Sequence, residues 1–282
     1  MAKQVNKIRG IIDVQKLDKT IGEFKILEHV NFFVPTGSIT AFIGSNGSGK
    51  TTTIKTILGL YPMNKQDKIF IDGMSARYVK SHTSIRYVPE KEEFPNITAR
   101  KFLIQAGNYY GINKHDTLAQ IYAYAKKLGF NLKLLDKKVN KLSSGNKKIV
   151  NILQGLVGTP KIVIMDEPTE NLDPVVKTLF WKLIKLINKQ NKVTFFISSH
   201  NLDEIEKTIT HIVVIRLGVL SWQGDWNFKG GLRERFDRFN ISNNPNVFSI
   251  SINKELVNKI NLLVKKNLID KKEANQIKKN LF

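Results

Sequence analysis

Gly44, Gly49, Lys50 and Thr51 stand at the spacing G-x-x-x-x-G-K-[ST], inside the stretch GSNGSGKTT. A loop of this kind holds a triphosphate. Its glycines let the chain wrap so that successive backbone N–H groups point inward and cradle phosphates. The helix that follows aims the positive end of its dipole at the same anion. Lys50 is placed to bridge the β- and γ-phosphates, and the Thr51 hydroxyl to meet Mg²⁺. The expected nucleotide-binding segment is therefore Gly44, Ser45, Asn46, Gly47, Ser48, Gly49, Lys50, Thr51 and Thr52. A second centre lies in KIVIMDEP, residues 161–168. An apolar run ending in Asp166 predicts a buried strand with a carboxylate at its C-terminal edge, where ligands bind in open α/β sheets. Asp166 can hold the metal through its water shell, and Glu167 can polarise an attacking water.

These residues need a sheet and helices to position them, and the pattern supplies both. Strand-like and helix-like segments alternate from Ile11 to about Trp222, which predicts an α/β fold. Strands are expected at 38–43, 68–71, 85–88, 161–165, 193–198, 210–217 and 219–222. Helices are expected at 51–60, 143–157 and 174–188, the last opening on Pro174. From Thr98 to Leu135 apolar residues recur at helical spacing, which predicts a helical insertion in the α/β core.

Beyond the two carboxylates come NLDP (171–174) and FFISSH, ending in His200. Upstream of them lies LSSGNKK, 142–148. This ordered set resembles the ATP-binding cassette (ABC) ATPases, over roughly Ile11 to Trp222. The resemblance implies a P-loop NTPase cassette, with a RecA-like α/β core, an N-terminal antiparallel β part and a helical subdomain at about 92–158. The cassette would span 5–222, and 223–282 would be a small C-terminal appendix, helical in pattern, whose role is open. It further implies two cassettes, a homodimer or a pair of paralogues, that sandwich ATP head to tail. Leu142, Ser143, Ser144, Gly145 and Asn146 would form the signature facing the partner's nucleotide, with Ser143 and Gly145 at its γ-phosphate. Asp173 would contact the other subunit. His200 would bond the γ-phosphate and join Glu167 and Lys50 as the catalytic set. Mg²⁺ would be held by Thr51, Asp166 and Glu90.

Three departures from the family pattern carry information. Ser144 stands where glycine is commonest and Asn146 where glutamine is. Glu90, in YVPEKEEF, replaces the usual glutamine of its loop. A carboxylate there can still meet the metal, and these substitutions resemble cassettes of drug and natural-product exporters. The aromatic that usually stacks on adenine is also missing. The family's spacing puts Ile21 there, while Phe24 is the nearest aromatic, and both remain candidates.

The functional expectation is the ATPase subunit of a transporter, exporting rather than importing, bound to separate membrane permease subunits. It would sit peripherally on the cytoplasmic face of the membrane. The first residues lack the apolar segment of a signal peptide. No stretch reaches the roughly 18–20 apolar residues of a membrane span. With no cysteine, disulfides and thiolate metal sites are excluded. The formal charge of +21 is spread along the 282 residues without an arginine–aromatic block. It reads as a Lys-, Asn- and Ile-rich composition, and no nucleic-acid partner is expected. The alternative is a non-transport ABC ATPase acting on the ribosome or nucleic acid.

Overall fold

The computed structural model describes residues 9–77, 84–91 and 93–226. All of them fall in one compact unit, Met1–Asn227. Strand β1 (Ile12–Ile21) pairs antiparallel with β2 (Phe24–Val34) and with β4 (Lys68–Ile71), which pairs with β5 (Met74–Ser75). The second sheet is six-stranded, in the order β10-β9-β3-β8-β7-β6. Its members are β3 (Ile39–Ile43), β6 (Ile85–Val88), β7 (Ile162–Met165), β8 (Thr194–Ser199), β9 (His211–Arg216) and β10 (Val219–Asp225). All pair in parallel except β10, which returns antiparallel along β9. β3, β7 and β8 are buried on both faces, as their largely apolar runs lead one to expect, with Thr40, Thr194, Ser198 and Ser199 as the buried polar exceptions.

The expected strands form. β10 runs to Asp225, past Trp222, the expected end of the domain. Residues of the expected appendix from 227 onward lie outside the described residues. Helix α1 (Lys50–Ile57) stops short of Leu60, because the chain turns left-handed at Gly59 (φ 67°). Between β6 and β7 come α2 (Ala99–Tyr109), α3 (Lys114–Lys127), two short 3₁₀ turns and α4 (Ser144–Leu156). Thr98 and Asn113 cap α2 and α3 with their side chains. After β7 comes α5 (Pro174–Asn191), which outlasts Asn188 until Lys192 adopts a left-handed φ of 55°. A short α6 (Leu202–Ile205) follows β8. No helix among the described residues is long and apolar enough to cross a membrane.

One core joins the two sheets. Phe32 of β2 stacks on Phe42 of β3 and on Phe196 of β8, with centroids 5.6 and 5.7 Å away. Phe42 and Phe196 stand 5.0 Å apart. Ile54 and Ile57 bring the buried face of α1 into the same cluster. The stack fixes the ends of β3 and β8, and both strands deliver site residues at their C-terminal edges.

Candidate active site

β3 ends at Ile43, and the glycine loop begins at once. Gly49 caps α1 with φ 103°, and a Cβ there would lie 2.5 Å from Leu27 Cδ2. Glycine is therefore required both by the backbone and by the space. Ser45, Asn46 and Gly47 are exposed, whereas Ser48, Gly49 and Lys50 are buried. The Lys50 ammonium donates to the carbonyls of Gly44 (2.7 Å) and Ser45 (3.2 Å). It also pairs with Glu167 Oε1 at 3.4 Å.

β7 and β8 end beside this loop. Ser198 Oγ donates to Asp166 Oδ1 (2.6 Å) and accepts the Glu167 backbone N–H (2.9 Å). Asp166 Oδ2 is buried with no hydrogen-bond partner. Glu167 adopts φ 44°, a left-handed conformation rare outside glycine and one that tends to occur at functional sites. The turn aims its carboxylate between two basic groups: Lys50 on one oxygen, and His200 Nδ1, which donates to Oε2 at 3.0 Å. The cleft so formed has a volume of about 390 Å³. Lys50, Thr51, Thr52, Glu90, Glu167, Glu170 and His200 are among its lining residues.

The candidate signature opens α4 elsewhere. Leu142 is buried, and Ser143 and Ser144 are exposed. Ser143 Oγ caps the helix by accepting from the Asn146 amide N–H (3.4 Å) and from Asn146 Nδ2 (2.9 Å). The hydroxyl proton is left available for an acceptor outside the helix. A Cβ on Gly145 would come within 3.3 Å of the Asn171 carbonyl. Asp173 caps α5, its Oδ1 accepting from Val175 and Val176 at 3.0 Å each.

Four residues escaped the sequence reading. Ile26 supplies an apolar wall of the cleft, whereas Ile21 and Phe24 lie at the β1–β2 hairpin, each 44% exposed. Pairing of Thr20 with Lys25 but Lys19 with Leu27 leaves Ile26 as an extra residue, a bulge that redirects its side chain. Periodicity alone gives no signal for such a bulge. Glu170 adds a carboxylate to the cleft, and Ser198 serves both Asp166 and Glu167. Lys148, on α4, is buried, and its ammonium donates to the Glu90 carbonyl at 2.7 Å. Burial pushes this ammonium below the usual lysine range, opposed by the carboxylates of Glu170, Glu90, Asp166 and Glu167.

The fold defines the class. An ATP-binding subunit of an ABC transporter superposes with TM-score 0.74 at 24% identity, covering 82% of this chain and 99% of the other. A dimeric cassette in a post-hydrolysis state, bound to ADP and Pi, gives 0.70 at 19% identity over 77% of this chain and 99% of the other. The family model for ABC transporters matches residues 27–170. A putative ABC transporter ATP-binding protein of Mycoplasma pneumoniae is 38% identical over 221 residues, 77% of this chain and 67% of the relative. The bacitracin transport ATP-binding protein BcrA of Bacillus licheniformis is 35% identical over 212 residues, 74% and 68% of the two chains. A Nod factor export ATP-binding protein of Burkholderia lata is 29% identical over 212 residues, 73% and 68% of the two chains. The chain belongs to the ABC transporter family, as an ATP-binding cassette that hydrolyses ATP.

Proposed function

We propose that this cassette powers export through separate membrane permease subunits, at the cytoplasmic face of the membrane, by closing on a second cassette around ATP. The observation that carries the mechanism is the convergence of Lys50, Glu167 and His200 in the cleft at the glycine loop, with Asp166 tied to Glu167 through Ser198. The direction rests on relatives named for bacitracin transport and Nod factor export.

The residues act as follows. Phosphates lie along the loop N–H groups from Ser45 to Thr52, and Lys50 exchanges its carbonyl partners for phosphate oxygens. Glu167 takes a proton from the attacking water, while His200 holds the carboxylate at 3.0 Å and reaches the γ-phosphate. Ile26 or the neighbouring hairpin residues Ile21 and Phe24 give adenine an apolar contact. The lone Asp166 Oδ2 fits the proton of a metal-bound water, so Thr51, Asp166 and Glu90 are the residues that would hold Mg²⁺. Once bound, that ion would supply positive charge that neutralises the phosphates. The O–H of Ser143 and the N–H groups of Ser144 and Gly145 would meet the partner's γ-phosphate, and Asp173 would lie near the partner across the interface.

Glu167→Gln is the decisive test. It keeps the shape and removes the base, so ATP should drive a dimer that persists, read by size-exclusion chromatography. A monomer under saturating ATP sinks the sandwich mechanism. Capture of a membrane protein from native membranes supports the transport reading. Consistent recovery with ribosomes or nucleic acid at moderate salt instead supports the alternative.

A further inference from the structure

Among the described residues, β6 is the edge strand of the six-stranded sheet. Its outer carbonyls need donors, since an uncovered edge leaves them unpaired. Arg86 serves the Ile85 carbonyl (3.2 Å), and helix α4 supplies side-chain donors from Tyr87 onward, past the end of the strand. Gln154 Nε2 donates to the Tyr87 carbonyl (2.9 Å), Asn151 Nδ2 to Pro89 (3.0 Å) and Lys148 Nζ to Glu90 (2.7 Å). The donors recede by three residues along the helix as the acceptors advance along the strand. One helical face therefore runs antiparallel to the edge, as helix geometry dictates. At the lower end the approach is close: a Cβ on Gly155 would overlap the Val88 side chain. At the upper end the ladder passes beyond the strand and grips the loop that carries Glu90 into the cleft.

Lys148 is the top rung, and it is only 6% exposed. It sits just past the first turn of α4, whose N-terminus is the Ser143–Asn146 segment. One rigid helix thus holds the signature at its tip and the Glu90 backbone a turn later. We propose that Lys148 is a positioning residue that ties the signature end of α4 to the Glu90 loop, so that the two move together. This rests on the reading of Glu90 as a residue facing the metal and nucleotide. Gln154 docks the helix to the strand, and Asn151 holds Pro89, the first residue past it. Lys148 holds Glu90 itself, and a long cation is suited to the task. It spans the gap with an apolar stem and places its donor among the carboxylates of the cleft.

The test uses the full chain. Lys148→Met removes the donor and keeps most of the volume. Its kcat should fall about tenfold, with KM for ATP and nucleotide affinity in EDTA within about threefold of the parent. Lys148→Arg should restore most of the rate. Gln154→Leu breaks the ladder at the far end and should leave kcat within about twofold. Glu90→Ala keeps the carbonyl but removes the carboxylate that Lys148 places; it should also slow turnover, and adding Lys148→Met to it should cost little more. A normal kcat in Lys148→Met overturns the tie, and so does an equal loss in Gln154→Leu or a failed rescue by arginine. Full additivity in the double variant overturns it as well. If Glu90→Ala itself hydrolyses ATP normally, the reading of Glu90 falls, and the tie with it.

Discussion

Ser198 illustrates how much one hydroxyl can organise. Its single proton goes to Asp166 Oδ1 and its lone pair receives the Glu167 amide, so one side chain on β8 fixes two residues after β7. Ser198→Ala should leave the amide and one carboxylate oxygen unpaired in a dry site. The expected cost is about 1–3 kcal/mol in denaturant unfolding, together with a lower kcat and little change in KM. Unchanged stability and turnover would remove Ser198 from this role. Gly49 sets a different limit. Its φ is 103°, and a Cβ there would lie 2.5 Å from the Leu27 methyl, so alanine would be strained and would have to displace that side chain. Gly49→Ala should cost on the order of 1–3 kcal/mol and weaken ATP binding in calorimetry. Native affinity in that variant would show that the loop tolerates another conformation.

Among the elements, α5 shows a residue with two separable duties. Asp173 accepts the first free amides of the helix, and Pro174 follows at a position where its missing N–H costs nothing. Asp173→Ala should lower stability by about 1 kcal/mol, whereas Asp173→Asn, an equally good cap, should not. If Asp173→Asn nonetheless weakens ATP-driven dimerisation, the charge acts at the interface. If dimerisation follows stability in both variants, the role is capping alone. α4 has a similar cap, in which Asn146 stands where the family commonly has glutamine. Its short amide closes back on Ser143 Oγ at 2.9 Å. The spacing of Ser143 before an apolar helical run made this helix legible from sequence. The contacts of Lys148, Asn151 and Gln154 were not legible, because they answer to the carbonyls of a strand and the loop after it, some sixty residues away.

At the scale of the molecule, the stack of Phe32, Phe42 and Phe196 makes the antiparallel and parallel sheets a single cooperative unit. Phe42→Ala should cost about 3–5 kcal/mol, and the loss should appear in one transition rather than two. Separate melting of two parts would show that the sheets are energetically independent. Ligand linkage gives a second reading of the same unit. ATP at about a hundred times its Kd should add roughly 2.7 kcal/mol to the folded state. Lys50→Ala should abolish most of the corresponding thermal shift, and a full shift in that variant would argue against Lys50 as a phosphate ligand.

Local order in the chain was enough to establish the glycine loop, the strand ending in Asp166 and Glu167, the helix that opens near Ser143 and the alternation of strands with helices. Each is encoded within about ten residues, by backbone freedom or by periodicity. Folding decided the rest, because it depends on distant partners. Only the packed sheet sets His200 against Glu167, and Ser198 between the Asp166 carboxylate and the Glu167 amide. Only the register of β1 on β2 turns Ile26 into a bulge whose side chain lines the cleft. Only the docking of α4 on an edge strand brings the Lys148 ammonium to the Glu90 loop, since its partner is a backbone carbonyl, which carries no mark in the sequence.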